Sequence, residues 1–300
     1  MLGLRFSICN RGMWSDSMAV RIADNSYSEA DIRLLRLARQ EGRDDVKDLT
    51  ITIHLEGDFA ASFVQGDNRK ILPGDSLKNT VYALARQHSM ETSEDFALHL
   101  IDHLLTYNAQ ISLMRIETVE NAWARLPHGG KPHPSAFGRA GLEQRTAVLI
   151  ATREHTSVRS GVQNLAVLKT SNVAFENFLR DPYTTLQPDR NRVLATIIQA
   201  DWLYANDLAE FGSLWHGVKQ MLLETFAEHK SKSLQQTLYT MGEAVLANFD
   251  NINEIHLALP EKLFDAVDLT PLGMDNPGTV YLPLEQPRGV VEAILKRSGT

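Results

Sequence analysis

Residues 48–57 read DLTITIHLEG, with Leu49, Ile51, Ile53 and Leu55 alternating with Thr50, Thr52, His54 and Glu56. Successive side chains of a strand point to opposite faces, so this spelling predicts a strand with one buried and one wet face. Upstream, IRLLRL (32–37) has a related alternation. Downstream the period changes. SLKNTVYALARQH (76–88) follows the turn formers Pro73, Gly74 and Asp75, and SEDFALHLIDHLLTYNAQ (93–110) opens on Ser93, Glu94 and Asp95. A capping-type residue followed by acids, ahead of a periodic apolar run, predicts a helix start. ISLMRIETVENAW (111–123) and RTAVLIATREH (145–155) then return to strand composition.

The order recurs in the second half. Strands are expected in NLAVLKTS (164–171) and RVLATIIQADWLYA (192–205), and helices in FGSLWHGVKQMLLETFAEHK (211–230) and SLQQTLYTMGEAVLANF (233–249). Strands return in INEIHLALP (252–260), TVYLPL (279–284) and VVEAILKR (290–297). Strand, strand, helix, helix, strand, strand, twice over, implies an α+β architecture of antiparallel sheets with paired helices on one face. We divide the chain into an N-terminal extension (1–20), a first domain (21–155) and a second (156–300). Each sheet would leave open edges, and joining edges between subunits removes that liability, so a homo-oligomer is expected.

At 300 residues, 43% apolar and 22% charged, the chain has the composition of a globular protein and a length at which one core tends to split in two. A net charge of −7 with no long run of like charge argues against a nucleic-acid partner. No stretch approaches the ~18 apolar residues of a membrane span. The N-terminus lacks a signal-peptide pattern, and Lys296-Arg297-Ser298-Gly299-Thr300 is not a peroxisomal address. The single cysteine, Cys9, permits neither an intrachain disulfide nor a Cys-based zinc cluster. A cytoplasmic protein is expected. His128 and His133 bracket a turn, and His99 and His103 share a helix face, but neither pair has a third ligand at metal-binding spacing, so no metal site is assigned.

Four ordered blocks carry a resemblance: LAVLKTSNVAFENFLRDPYTTLQPDRNR (165–192), GDNRKILPGDSLKNTVYALAR (66–86), KPHPSAF (131–137) and SLQQTLYTMGEAVL (233–246). In these the chain resembles the urate oxidase family over nearly its whole length from Tyr27. The resemblance implies two tandem tunnelling-fold (T-fold) domains, four subunits forming a barrel, and active sites shared between neighbouring subunits. It also implies oxidation of urate by dioxygen and water to 5-hydroxyisourate and hydrogen peroxide, with no metal or organic cofactor.

By the same resemblance, the family's stacking phenylalanine falls on Phe175, its pocket leucine on Leu186, its bidentate arginine on Arg192 and its edge-holding glutamine on Gln235, with Leu234 and Asp75 beside them. A planar guanidinium and an amide can clamp a carbonyl, N–H, carbonyl edge while an aromatic face stacks on the ring. The family's catalytic positions differ. Its lysine position holds Glu29, its threonine Gly74, and its asparagine and histidine, in LPEKL (259–263), Glu261 and Leu263. Gly74 and Leu263 have no side-chain proton to pass, and general acid–base help is typically worth ~10²- to 10⁴-fold, so turnover by the family's route should fall. Two carboxylates near a site built for an anion also oppose that anion.

Three functions are consistent with this pattern. One is urate oxidation with Glu29 or Glu261 as a new base. Another is a paralogue that binds a purine without redox chemistry. The third is an enzyme on another purine- or pterin-like ring.

Overall fold

The computed structural model describes residues 20–262, 264–283 and 289–297. Cys9 and Leu263 lie outside them. Eight strands form one antiparallel sheet in the order β1-β2-β3-β4-β5-β6-β7-β10. The first half contributes β1 (Ser26–Gln40), β2 (Arg43–Gly57), β3 (Ile111–His128) and β4 (Lys131–Ala151). The second contributes β5 (Thr156–Lys169), β6 (Leu194–Tyr204), β7 (Ile252–Lys262) and β10 (Gly289–Lys296). Helices α2 (Gly74–Gln87) and α3 (Ser93–Tyr107) interrupt the first set, and α4 (Phe211–Glu228) and α5 (Leu234–Asn248) the second. The repeated order expected from the sequence is therefore present.

The alternation of 48–57 appears as burial. Leu49, Ile51, Ile53 and Leu55 of β2 are fully buried, and they join one continuous core with Leu77 and Val81 of α2 and Phe96 and Leu100 of α3. In the second half Ile198 and Trp202 of β6 and Leu257 of β7 meet Val218 and Leu222 of α4 and Met241 and Val245 of α5. Each such side chain contributes about 1.5–3 kcal/mol by leaving water. Thr92 caps α3 by accepting from the Asp95 amide at 3.1 Å, and Ser233 caps α5 by accepting from Gln236 at 3.1 Å.

Three features depart from the sequence expectation. The two halves share one sheet, because β4 and β5 pair from Gln144↔Gln163 to Ala151↔Thr156 around the turn at 152–155. The strand expected in 279–284 is present as β9 (Tyr281–Pro283), which pairs with β8 (Phe264–Ala266) as a separate two-stranded ribbon rather than joining that sheet. A short helix, α1 (Ala60–Gln65), precedes α2 and is too brief to have shown a helical period.

The first strand of each half also carries a break in register, between Glu29 and Ile32 in β1 and between Val162 and Leu165 in β5. Asp31 and Asn164 take the left-handed conformation there, at φ 55° and 59°, a region these two residue types enter more readily than most. Among the described residues, no helix is long and apolar enough to cross a membrane.

Candidate functional site

The residues singled out in the sequence fall into two clusters. The first sits where β1 meets the start of α2. The Tyr27 hydroxyl accepts from the Leu72 amide at 3.0 Å, which holds the turn carrying Pro73 and Gly74 against the strand. Burial pushes the Tyr27 phenol up. Two residues further along, just before the β1 bulge, Glu29 points its carboxylate at Gly74. A Cβ built on Gly74 would overlap Glu29 Oε2, so the carboxylate occupies the space a side chain at 74 would need. Bulges bend a strand and re-aim side chains, which accounts for that approach.

The other oxygen, Glu29 Oε1, pairs with Lys78 Nζ at 2.8 Å. Lys78 follows Gly74 by one helical turn and so shares its face of α2. The hydrogen bond to Glu29 and then its charge raise the Lys78 pKa. Asp75 is exposed and accepts from Asn79 Nδ2 at 3.2 Å.

The second cluster is built on the irregular segment between β5 and β6. The Phe175 amide donates to Asp189 at 2.7 Å, and the Asp189 amide donates back to Phe175 at 3.0 Å. The Arg192 amide donates to the Val173 carbonyl at 2.9 Å, and the Ala174 amide donates to the Ser231 carbonyl at 2.8 Å. These bonds bring the two ends of the loop together and seat both beside the start of α5. The guanidinium carbon of Arg192 lies 5.2 Å from the centroid of the Phe175 ring, within cation–π range. Phe178 stacks on Phe175 at 5.2 Å and 13°.

Glu261, on β7, brings Oε1 to 3.0 Å from Arg192 Nη1. Both side chains are about three-quarters covered, at 22% and 26% exposure. The contact is Coulombic without a formed hydrogen bond: Glu261 Oε1 and Arg192 Nε are both buried, and neither has a hydrogen-bond partner. On α5 the Leu234 side chain belongs to the core at 2% exposure, so what it can offer a ligand is its backbone. Gln235 is exposed on the first turn and helps line a cavity of about 700 Å³ between α5 and β10, with Tyr239, Glu243 and Ala293. A cavity of about 810 Å³ near Asp58 and Arg153 contains none of these residues. Leu186 is 55% exposed, and its carbonyl accepts from Arg180 at 3.4 Å.

The fold thus joins Glu29 to Gly74, and Phe175 to Arg192, Glu261 and the start of α5. It does not bring these two groups together within one chain. β1 and β7 are six steps apart in the sheet, about 29 Å along its surface at ~4.8 Å per step.

Sequence reasoning missed Lys78, although its i+4 spacing from Gly74 was a usable signal. It also missed the Arg192–Glu261 contact, for which linear spacing holds no signal. His128 and His133 lie 5.9 Å apart across their turn, whereas His99 stacks on His88 at 4.4 Å and His103 lies 4.8 Å from Tyr107. Among the described residues, no three His, Cys, Asp or Glu side chains are grouped to hold a metal ion.

A continuous antiparallel sheet assembled from two strand, strand, helix, helix, strand, strand units, with a guanidinium over an aromatic ring beside the second helix pair, defines a tandem T-fold protein. The chain belongs to the uricase family, whose model matches residues 25–150 and 158–292. It is 37% identical to a uricase of Arthrobacter globiformis over 286 residues, covering 95% of this chain and 93% of that one. It is 32% identical to a uricase of Aspergillus flavus, covering 91% and 95%. The crystal structure of the Arthrobacter globiformis uricase superposes with a TM-score of 0.90, over 94% of this chain and 97% of that one. A urate oxidase of Bacillus sp. TB-90, at 21% identity and a TM-score of 0.80, covering 91% of this chain and 100% of its own, shares the fold.

Proposed function

We propose that the chain holds urate or a related oxopurine against Phe175, with Arg192 and Gln235 on the ring's polar edge, and that its reaction is the family's cofactor-free oxidation of urate. Urate, dioxygen and water then give 5-hydroxyisourate and hydrogen peroxide, the urate anion supplying the electrons. The observation that carries this reading is the Arg192 guanidinium 5.2 Å from the Phe175 ring, because a cation and an aromatic face, held by backbone bonds, suit a flat heteroaromatic ring.

Glu29 with Lys78, at one end of the sheet, and Arg192 with Glu261, near the other, are halves of a site that a second subunit would complete, as expected of a homotetramer. With glycine at position 74, the side chains left to move a proton are Glu29, Lys78 and Glu261. The test is oxygen-dependent release of hydrogen peroxide from urate by the purified protein and by Arg192→Ala. Activity lost with Arg192 supports the reading, and equal activity in both overturns it.

A second reading, a purine-binding paralogue without turnover, is favoured by the filled space at Gly74, which leaves no hydroxyl there. Arg192-dependent binding of urate with no peroxide would select it.

A further inference from the structure

We infer that Phe178 is a positioning residue for the ring site: it backs Phe175 and fixes the plane of the face on which a flat ligand stacks. This rests on the reading above that Phe175 holds a purine-like ring. The backbone bonds between Phe175 and Asp189 set where the side chain leaves the chain. They leave the ring free to turn about its own bonds, and the outer torsion of a phenylalanine is broad. A neighbouring surface has to set the plane. Phe178 supplies it, because the two rings lie 5.2 Å apart and 13° from parallel, and both are half-buried. Offset stacking at such a separation is a favoured arrangement of two aromatic rings.

The stack is built into the local backbone. Residues three apart in an extended chain lie about 10 Å from each other, and their side chains leave on opposite sides. Asn177 takes the left-handed conformation at φ 59°, which folds the chain back and lets the two rings meet. Phe178 is itself held, since the Arg180 guanidinium lies 5.3 Å from its centroid and donates to the Leu186 carbonyl at 3.4 Å. Its neighbour Leu179 is 93% exposed, so the segment is not gathered by general burial of apolar side chains. The loop is closed elsewhere, by the backbone bonds at Val173 and Asp189 and by the Arg190–Glu176 pair at 3.0 Å. Removing the Phe178 ring therefore frees the plane of Phe175 without opening the loop. A ligand would then have to order the Phe175 ring as it binds, and ordering a side chain at that moment lowers affinity.

The experiment measures urate dissociation constants by titration calorimetry on the full chain, without oxygen so that the ligand is not consumed. The proteins are wild type, Phe178→Leu, Phe178→Tyr, Phe175→Leu and the double variant Phe175→Leu/Phe178→Leu. Phe178→Leu is expected to weaken urate about 3- to 10-fold, the worth of one aromatic pair, with a melting temperature close to wild type. Phe178→Tyr keeps a flat ring and should bind within about twofold of wild type. With leucine already at 175, the change at 178 should cost less than about twofold, because a residue that acts through another has nothing left to position. A purely structural role for Phe178 would instead cost the same whichever residue stands at 175, and it would lower the melting temperature. That result, wild-type affinity in Phe178→Leu, or a Phe178→Tyr as weak as Phe178→Leu, makes this inference fail alone. If Phe175→Leu binds too weakly to read, the contrast between tyrosine and leucine at 178 decides. If wild type does not bind urate, or Phe175→Leu binds it as wild type does, the proposed function fails and this inference with it.

Discussion

The carboxylate of Glu29 fills the space that a side chain on Gly74 would occupy, and it is held there by Lys78 at 2.8 Å. The two residues therefore work as one unit, since the larger member fits because the smaller has no Cβ.

Gly74→Thr alone should destabilise the protein by about 1–3 kcal/mol, the usual range for inserting atoms into occupied space. It would displace Glu29 and strand Lys78. In Glu29→Ala/Gly74→Thr the clash is gone, and the double variant should recover most of the loss, a coupling of about 0.5–3 kcal/mol. Urea denaturation of the two single variants and the double closes the cycle. Additive single effects would show that the two positions are independent.

Arg145 and Glu94 form an ion pair at 2.6 Å, with side-chain exposures of 8% and 0%. Arg145 also lies 5.2 Å from the Trp215 ring and donates to the Phe211 carbonyl at 3.3 Å, so the pair ties α3 and β4 to the start of α4. Arg145→Met should cost about 3–5 kcal/mol by removing the cation from the buried Glu94 carboxyl, which keeps only the hydroxyls of Ser93 and Ser160 as donors. Adding Glu94→Gln should return part of that. A denaturation midpoint for Arg145→Met within error of wild type would refute the argument.

His256 lies between Asp201 at 2.8 Å and Glu292 at 2.7 Å. Burial alone would depress its pKa, but the hydrogen bonds to Asp201 and Glu292 and the charges of those carboxylates together outweigh burial and raise it above the ordinary 6.5. A raised folded value means that the charged form is preferred in the native state. The stability it contributes is fully present below pH ~6.5 and is lost as pH rises through the folded value. His256→Gln should therefore lower the melting temperature more at pH 5.5 than at pH 8.5. An equal loss at both pH values would exclude this role.

Lys169, at the end of β5, donates to the carbonyls of Ala227 at 2.8 Å, in the last turn of α4, and of His229 at 2.5 Å, just past it. Burial lowers its pKa. The loop bearing Phe175 leaves from this point, and Ser231, which holds that loop, follows His229 by two residues. Lys169→Met should remove about 1.5–3 kcal/mol of charged hydrogen bonding and weaken ring binding several-fold. Titration calorimetry with hypoxanthine or urate checks it, and unchanged affinity would mean that the loop is set without Lys169.

Much of this architecture was readable from local patterning. The alternation of 48–57 became the buried face of β2, and the start signal at Ser93, Glu94 and Asp95 became the first turn of α3, whose cap is Thr92, one residue earlier. Those features depend on residues a few positions apart. The strand expected in TVYLPL is present as β9, but its pairing with β8 was not legible, because composition cannot say which partner a strand takes.

By itself the sequence determined the repeated order of elements, the core-facing positions and the spaced motifs that resemble the urate oxidase family, because period, caps and motif spacing are properties of short stretches of chain. Tertiary structure alone decided that Glu29 takes the space at Gly74, that Glu261 meets Arg192, and that β4 and β5 fuse the halves into one sheet. Each of these is a meeting of groups from different elements, and such meetings are set by strand register and by a bulge re-aiming a side chain, which the residue order alone does not state.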